Sequence, residues 1–249
     1  MSVSASEDLN KFIGAYERDF DFHDENLTML AWYSRRIVES LVGKRDLRLL
    51  SLGIGYETVP RTLWSALEGR LKSYTIVDGA SEIIARFKRH GLPAYVDVVL
   101  DYFETFASDT PYDVIEMGFI LEHVDDPDII LDRYRAMLAK HGRMFIAVPN
   151  AGSLHRIIGR EAGLLDNIYR LSAQDLELGH KRYFDYKSFT SLVLRHGFKI
   201  VNIEGILLKP VTTAQLQRLR LPASLWKALC TTAQNFPAIS NSILIEVAI

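Results

Sequence analysis

Residues 113–127, DVIEMGFILEHVDDP, change character within one short stretch. Val114, Ile115 and Met117 are apolar enough to sit inside a sheet. Glu122, His123, Asp125 and Asp126 follow at once as charged or titratable groups, and Pro127 closes the run. Open α/β sheets keep their sites in such polar clusters just past a buried strand. The stretch therefore predicts a strand whose far end faces a small ligand.

Outward from it, short apolar runs between turn signals recur at Leu47 to Leu52, Ser73 to Val77, Ala94 to Val99 and Arg143 to Val148. Helical patterns fill the gaps. One begins near Thr58 to Pro60; a second, Ser81 to His90, starts on a capping Ser and ends before Gly91; a third, Ile129 to Leu138, precedes a loop closed by Gly142. Parallel strands need crossover connections, so repeated strand-helix units predict a doubly wound, Rossmann-like, mostly parallel sheet with helices on both faces.

Residues 1–43 read as an N-terminal helical lid. Its aromatic arm carries Phe12, Tyr16, Phe20 and Phe22, and a helix from Asp24 to Val42 stops at Gly43. Residues 44–150 form the cofactor-binding core. The rhythm breaks in 151–184, which read as a helical cap inserted after the fifth strand, with Ser172 as a helix cap. Residues 185–249 resume the core with a helix from Tyr186 to His196, a strand Lys199 to Glu204, helical residues near Thr213 to Thr232 and a last strand Ser242 to Ile249. All of this fits one domain.

A chain of 249 residues with 48% hydrophobic and 24% charged residues is long enough for one full core. A formal net charge of -2 gives no broad basic field, so neither nucleic acid nor an anionic membrane is expected as a partner. The single cysteine, Cys230, has no partner for an internal disulfide, and MSVSASEDLN lacks the apolar core of a signal peptide. These features point to a reducing cytoplasm. Apolar runs such as Met144 to Val148 are far shorter than the roughly 20 residues of a membrane span.

Gly53-Ile54-Gly55 directly follows the first strand. Without a Cβ, glycines at a tight strand-to-helix turn let the backbone bend and a ligand lie close. Asp78 ends the second strand 25 positions later (78 minus 53), near the roughly 20-residue offset at which a carboxylate receives ribose hydroxyls. Helix capping is its other reading. Asp101 after the third strand is placed to accept from an adenine amino group, with Tyr102 beside the ring. An adenosine-containing cofactor follows. The chain lacks both the third glycine of a nicotinamide loop, at Thr58, and the Gly-Lys-Ser/Thr of a P-loop.

Together, Gly53-x-Gly55, Asp78, Asp101-Tyr102, DVIEMGFILEHVDDPD, Gly142 and AVPN resemble the class I S-adenosylmethionine-dependent methyltransferases over roughly residues 45–205. LEHVDDP, VPN and GHKRYF are most similar to the branch that methylates small metabolites, including sugars and quinone precursors. The resemblance implies a seven-stranded sheet whose last strand is antiparallel. It also implies S-adenosylmethionine as donor, S-adenosylhomocysteine as product, and a cofactor site at Gly53, Ile54, Gly55, Asp78, Gly79, Asp101, Tyr102, Met117 and Gly118. Two positions depart from the family: Ser51 stands where Glu or Asp is usual, and Glu57 where a third glycine is usual. Glu57 either faces the cofactor's ammonium or points to solvent.

Methyl transfer needs in-line placement of an acceptor electron pair, and a hydroxyl acceptor is helped by a base. His123 is the first candidate, with helix capping by Glu122-His123 as its structural alternative; His180 in the cap is the other candidate base. His155 and Arg182 in the cap, with Tyr16 and Tyr33 from the N-terminal side, are expected to meet a small-molecule acceptor. No metal is expected, because no second histidine stands at i+4 and there are no cysteine pairs. Helices near Leu216 to Leu229 are free to pack inward or to form a homodimer. A catalytically idle cofactor-binding protein of this fold is the main rival to an enzyme, and a nicotinamide-dependent oxidoreductase is a distant third.

Overall fold

The computed structural model describes residues 8–249. The first seven residues of the expected N-terminal lid lie outside them. Seven strands, β1 (Leu47–Leu52), β2 (Leu71–Asp78), β3 (Val96–Leu100), β4 (Tyr112–Gly118), β5 (Leu138–Pro149), β6 (Lys199–Ile206) and β7 (Ser242–Ala248), form one sheet in the order β3-β2-β1-β4-β5-β7-β6. Strands β1 to β5 run parallel, and β7 is antiparallel to both β5 and β6. The chain order reverses between β1 and β4, so their C-terminal ends diverge into a crevice, the usual ligand site of such a sheet.

The alternation of each strand divides its side chains between two helical layers. Leu50, Leu52, Ile115 and Met117 face α4 (Pro127–Met137) and α7 (Tyr186–Arg195) through Leu131, Tyr134 and Phe189. Leu49, Ile76, Val114 and Phe145 face α1 (His23–Ser40), α2 (Thr58–Ala66), α3 (Ser81–Lys88) and α9 (Ala223–Ala233). Ser51 and Glu116 lie on this second face and are fully buried there.

Several boundaries differ from the sequence reading, each for a local reason. Helix α3 is capped by Ala80, not Ser81, because the Asp78 carboxylate already accepts from the Ala80 N–H at 2.8 Å. Helix α4 starts at Pro127, where Asp126 accepts from the Asp128 and Ile129 N–H groups. No loop follows α4. Strand β5 begins at once and residues 139–142 bulge out between the pairs Tyr112–Leu138 and Val114–Arg143. Gly142 sits in that bulge because a Cβ there would lie 2.8 Å from Leu138 and 3.1 Å from the Asp113 carbonyl. The expected helix after Thr213 is two: α8 (Thr213–Arg218) and α9, parted where Arg220 takes a φ of 47° and Pro222 precedes α9. Leu216 packs inward, whereas Leu219 and Leu225 are exposed.

Between β5 and α7 lie two short helices, α5 (Leu154–Glu161) and α6 (Ala173–Glu177), the latter started by a Ser172–Asp175 capping box. A 3-10 helix, Leu9–Tyr16, opens the described part of the arm, and turns carrying Phe20 and Phe22 lead from it to α1. No helix among the described residues is long and apolar enough to cross a membrane.

Candidate active site

A cavity of about 830 Å³ opens at the C-terminal ends of β1, β2 and β4, between the arm and the cap. Its volume suits a nucleotide-sized ligand with a small second molecule. At one end the β1–α2 turn forms the floor. Gly53 and Gly55 have φ of 83° and 49°, conformations that L side chains rarely adopt, and a Cβ on Gly55 would stand 3.3 Å from the Tyr16 ring. The Asp78 carboxylate holds this turn, accepting from the Ile54 N–H and the Ala80 N–H at 2.8 Å each. Burial raises its pKa and these two bonds oppose the rise. Each oxygen retains a lone pair, so the capping and ribose roles can coexist at Asp78.

At the other end stand Glu122, His123 and His180, one ligand atom of each lying within 4.8 Å of the others. The His123 and His180 rings meet edge to face at 4.7 Å, and His123 Nε2 lies 4.0 Å from Glu122 Oε1. Both Glu122 oxygens are buried without a hydrogen-bond partner. Burial pushes its carboxyl up to about 7, against the lowering effect of His180 and Arg182. Burial, then His180, drives the His123 imidazole well below the ordinary histidine range, so it is neutral and has a free lone pair. These three groups can share a proton or hold a divalent cation. The i+4 rule missed the set because His180 comes from the cap, 57 positions away (180 minus 123).

The backbone fixes the triad tightly. Lys181 N–H donates to the Glu122 carbonyl at 2.7 Å, and Arg182 donates to the carbonyls of Leu121 (3.2 Å), Val124 and Asp125 (2.9 Å). Just before it, Phe119 has a φ of 61°, a strained conformation of the kind that gathers at functional sites. His180 Nδ1 points toward Asp175 at a long 3.5 Å, and Asp175 also accepts from the Ser172 and Tyr183 hydroxyls.

Of the expected residues, Gly53, Ile54, Gly55, Asp78, Gly79, Tyr102 and Gly118 line the cavity on the donor side, and Tyr16, His123, His155 and His180 also face it. Four do not. Asp101 turns its Oδ1 back onto the Tyr102 N–H (2.8 Å) and the Thr105 hydroxyl (2.5 Å), starting the next turn. Met117 points into the opposite layer, one residue out of phase with Glu116 and Gly118. Tyr33 is a fully buried packing residue whose hydroxyl donates to the Phe145 carbonyl at 3.1 Å, beneath Gly118. Arg182 is spent on the three carbonyls of the triad loop. Glu57 takes neither of its expected roles, since Arg61 at 2.6 Å and Arg86 at 3.5 Å hold it.

Two features escaped the sequence reading. Glu116 lines the cavity from β4, and a buried network of Glu25, Lys209 and Thr213 lines it from below. There Lys209 donates to Glu25 at 2.6 Å and to Thr213 at 3.0 Å. The neighbouring His155 is neutral, pushed down to about 2 by burial and then by Lys209.

The methyltransferase domain family matches residues 26–203. A ubiquinone biosynthesis O-methyltransferase of Xylella fastidiosa is 28% identical over 198 residues, 76% of this chain and 73% of that protein. Among solved structures, an S-adenosylmethionine-dependent methyltransferase of Mesorhizobium loti has a TM-score of 0.60 at 15% identity, over 86% of this chain and 97% of the other. The N-methyltransferase NodS of Bradyrhizobium japonicum, solved with S-adenosyl-L-homocysteine, has a TM-score of 0.57 at 12% identity, over 96% and 97%. At such identities these two share the fold.

Proposed function

This chain belongs to the methyltransferase domain family, and from that premise we propose that it transfers the methyl group of S-adenosylmethionine to an oxygen of a small polar metabolite held beside His123. The observation that carries this reading is the continuity of one cavity from the Gly53–Gly55 turn to the Glu122–His123–His180 cluster. The two-glycine cradle and the Asp78-held turn fit the donor, which supplies an electrophilic methyl group on a sulfonium.

The chain's own residues supply placement and a proton acceptor. Gly118 and Phe119 at the end of β4 stand between the two halves of the cavity, and Arg182 fixes the loop that presents His123. As the acceptor oxygen takes the methyl group its hydroxyl proton must leave. Neutral His123 accepts it, and Glu122, 4.0 Å away with its carboxyl pushed up to about 7, in its ionised form stabilises the imidazolium that results.

An oxygen acceptor is favoured over nitrogen because the Xylella relative is named an O-methyltransferase. A sugar, nucleotide sugar or natural-product intermediate with a ring hydroxyl fits the polar acceptor half. His123→Asn should lower kcat about a hundredfold, the usual size of a general-base contribution, with the donor's Kd nearly unchanged. Parallel assays with a chelator are expected to leave the wild-type rate intact. A rate lost on chelation and restored by a divalent cation would instead assign the triad to a metal.

A further inference from the structure

The usual acid at the end of β1 is absent from this chain, and the serine in its place is not free to act for it. Ser51 is fully buried, with its hydroxyl 2.8 Å from the Tyr74 hydroxyl. Glu57 is paired with Arg61 and Arg86. On the neighbouring strand, however, the register partner of Ser51 is Glu116. Register partners on adjacent parallel strands stand side by side, about 5 Å apart, with side chains on the same face.

Glu116 is 2% exposed and lines the cavity beside the glycine turn. One oxygen accepts from the Gly118 N–H at 2.7 Å. Among the described residues no cation forms an ion pair with it, whereas two other acids around the cavity have one, Glu25 with Lys209 and Asp125 with Lys181. A buried carboxylate with no counter-charge is costly unless a ligand provides one.

We propose that Glu116 binds the ammonium group of the donor's methionine end, replacing from β4 the carboxylate that β1 lacks at Ser51. This rests on the reading of the cavity as an S-adenosylmethionine site. An ammonium has three donors and no acceptor, so it needs acceptors, and a carboxylate at the end of the site nearest the glycine turn also supplies the opposite charge. Glu122 is too far along, beside His123 at the acceptor end.

A proton follows from the same placement. The groups around Glu116 are Tyr33 from α1, Ser51 from β1, Tyr74 from β2, Phe145 from β5 and the Gly118 N–H, none of them a cation. Burial holds its carboxyl near 7 in the free protein. A bound ammonium favours the ionised form, so docking the amino-acid end at pH 7 expels part of a proton.

Calorimetric titration at pH 7 in two buffers of different ionisation enthalpy tests this, using S-adenosylhomocysteine and methylthioadenosine, which lacks the amino-acid end. Glu116→Gln should weaken S-adenosylhomocysteine by about 10- to 100-fold, the range of a charge-assisted hydrogen bond, and leave methylthioadenosine unchanged. Wild type should release protons with the first ligand only, and the variant with neither. Equal affinity of variant and wild type for S-adenosylhomocysteine, equal losses for both ligands, or no proton release in wild type would overturn the assignment. Wild type binding neither ligand would instead remove the donor reading on which it stands. Ser51→Asp added to Glu116→Gln should recover part of the affinity if the variant melts as a folded protein.

Discussion

Glu116 and His155 are both largely neutral in the free protein at mildly acidic pH, yet they move stability with pH in opposite directions. Glu116 titrates near 7 in the fold, because of burial, and near 4.3 in an unfolded chain. Between those values the folded state binds the extra proton, so stability from this group falls as pH rises. His155 is held down to about 2 by burial and Lys209, so the unfolded state binds the extra proton below about 6.5 and stability falls as pH falls. The difference in melting temperature, wild type minus Glu116→Gln, should therefore grow more positive from pH 8 to pH 5. The same difference for His155→Gln should grow more negative from pH 7 to pH 5. A flat difference in either series contradicts the corresponding burial. Neither residue's state was legible in the sequence, where Glu116 is one acid inside DVIEMG and only the register with Ser51 reveals its place.

Asn150, the last residue of AVPN, shows how a recognisable motif can act through elements. The two hydrogens of its amide nitrogen are shared among the carbonyls of Pro237 (3.3 Å), Ala238 (3.1 Å) and Ser240 (2.8 Å), and its oxygen accepts from the Gly152 N–H at 2.8 Å. It ties the end of β5 and the start of the cap to the approach to β7, and it is 1% exposed. Asn150→Ala should cost about 2–3 kcal/mol in denaturant unfolding, because buried carbonyls and an N–H lose their partner. A loss below 0.5 kcal/mol would be the size of an ordinary surface change. The strands were readable from their apolar runs, and the tight turn from Gly53 and Gly55. The bulge at 139–142 and the break between α8 and α9 were not, since both depend on how β5 pairs with β4 and how the chain turns at Arg220, not on local pattern.

Across the whole molecule, the strand-helix alternation sufficed to foresee the parallel core. The resemblance carried by Gly53, Asp78 and LEHVDDP supplied the antiparallel β7 and the donor. The acceptor half was harder to foresee because it is assembled from distant segments: Glu122 and His123 from the β4 edge, His180 and Asp175 from the cap, and Lys209 with Glu25 from opposite ends of the chain. Sequence spacing holds no record of such convergence. Arg182 and Tyr33, expected at the acceptor, instead brace the walls around it. The most direct test of the account is incubation with S-adenosylmethionine and a fractionated metabolite extract, followed by mass spectrometry. The account predicts a hydroxyl-bearing acceptor that gains one methyl group in step with S-adenosylhomocysteine, about a hundredfold more slowly with His123→Asn. Acceptor-dependent turnover that is unchanged in that variant, or no acceptor-dependent S-adenosylhomocysteine from any fraction, would contradict it.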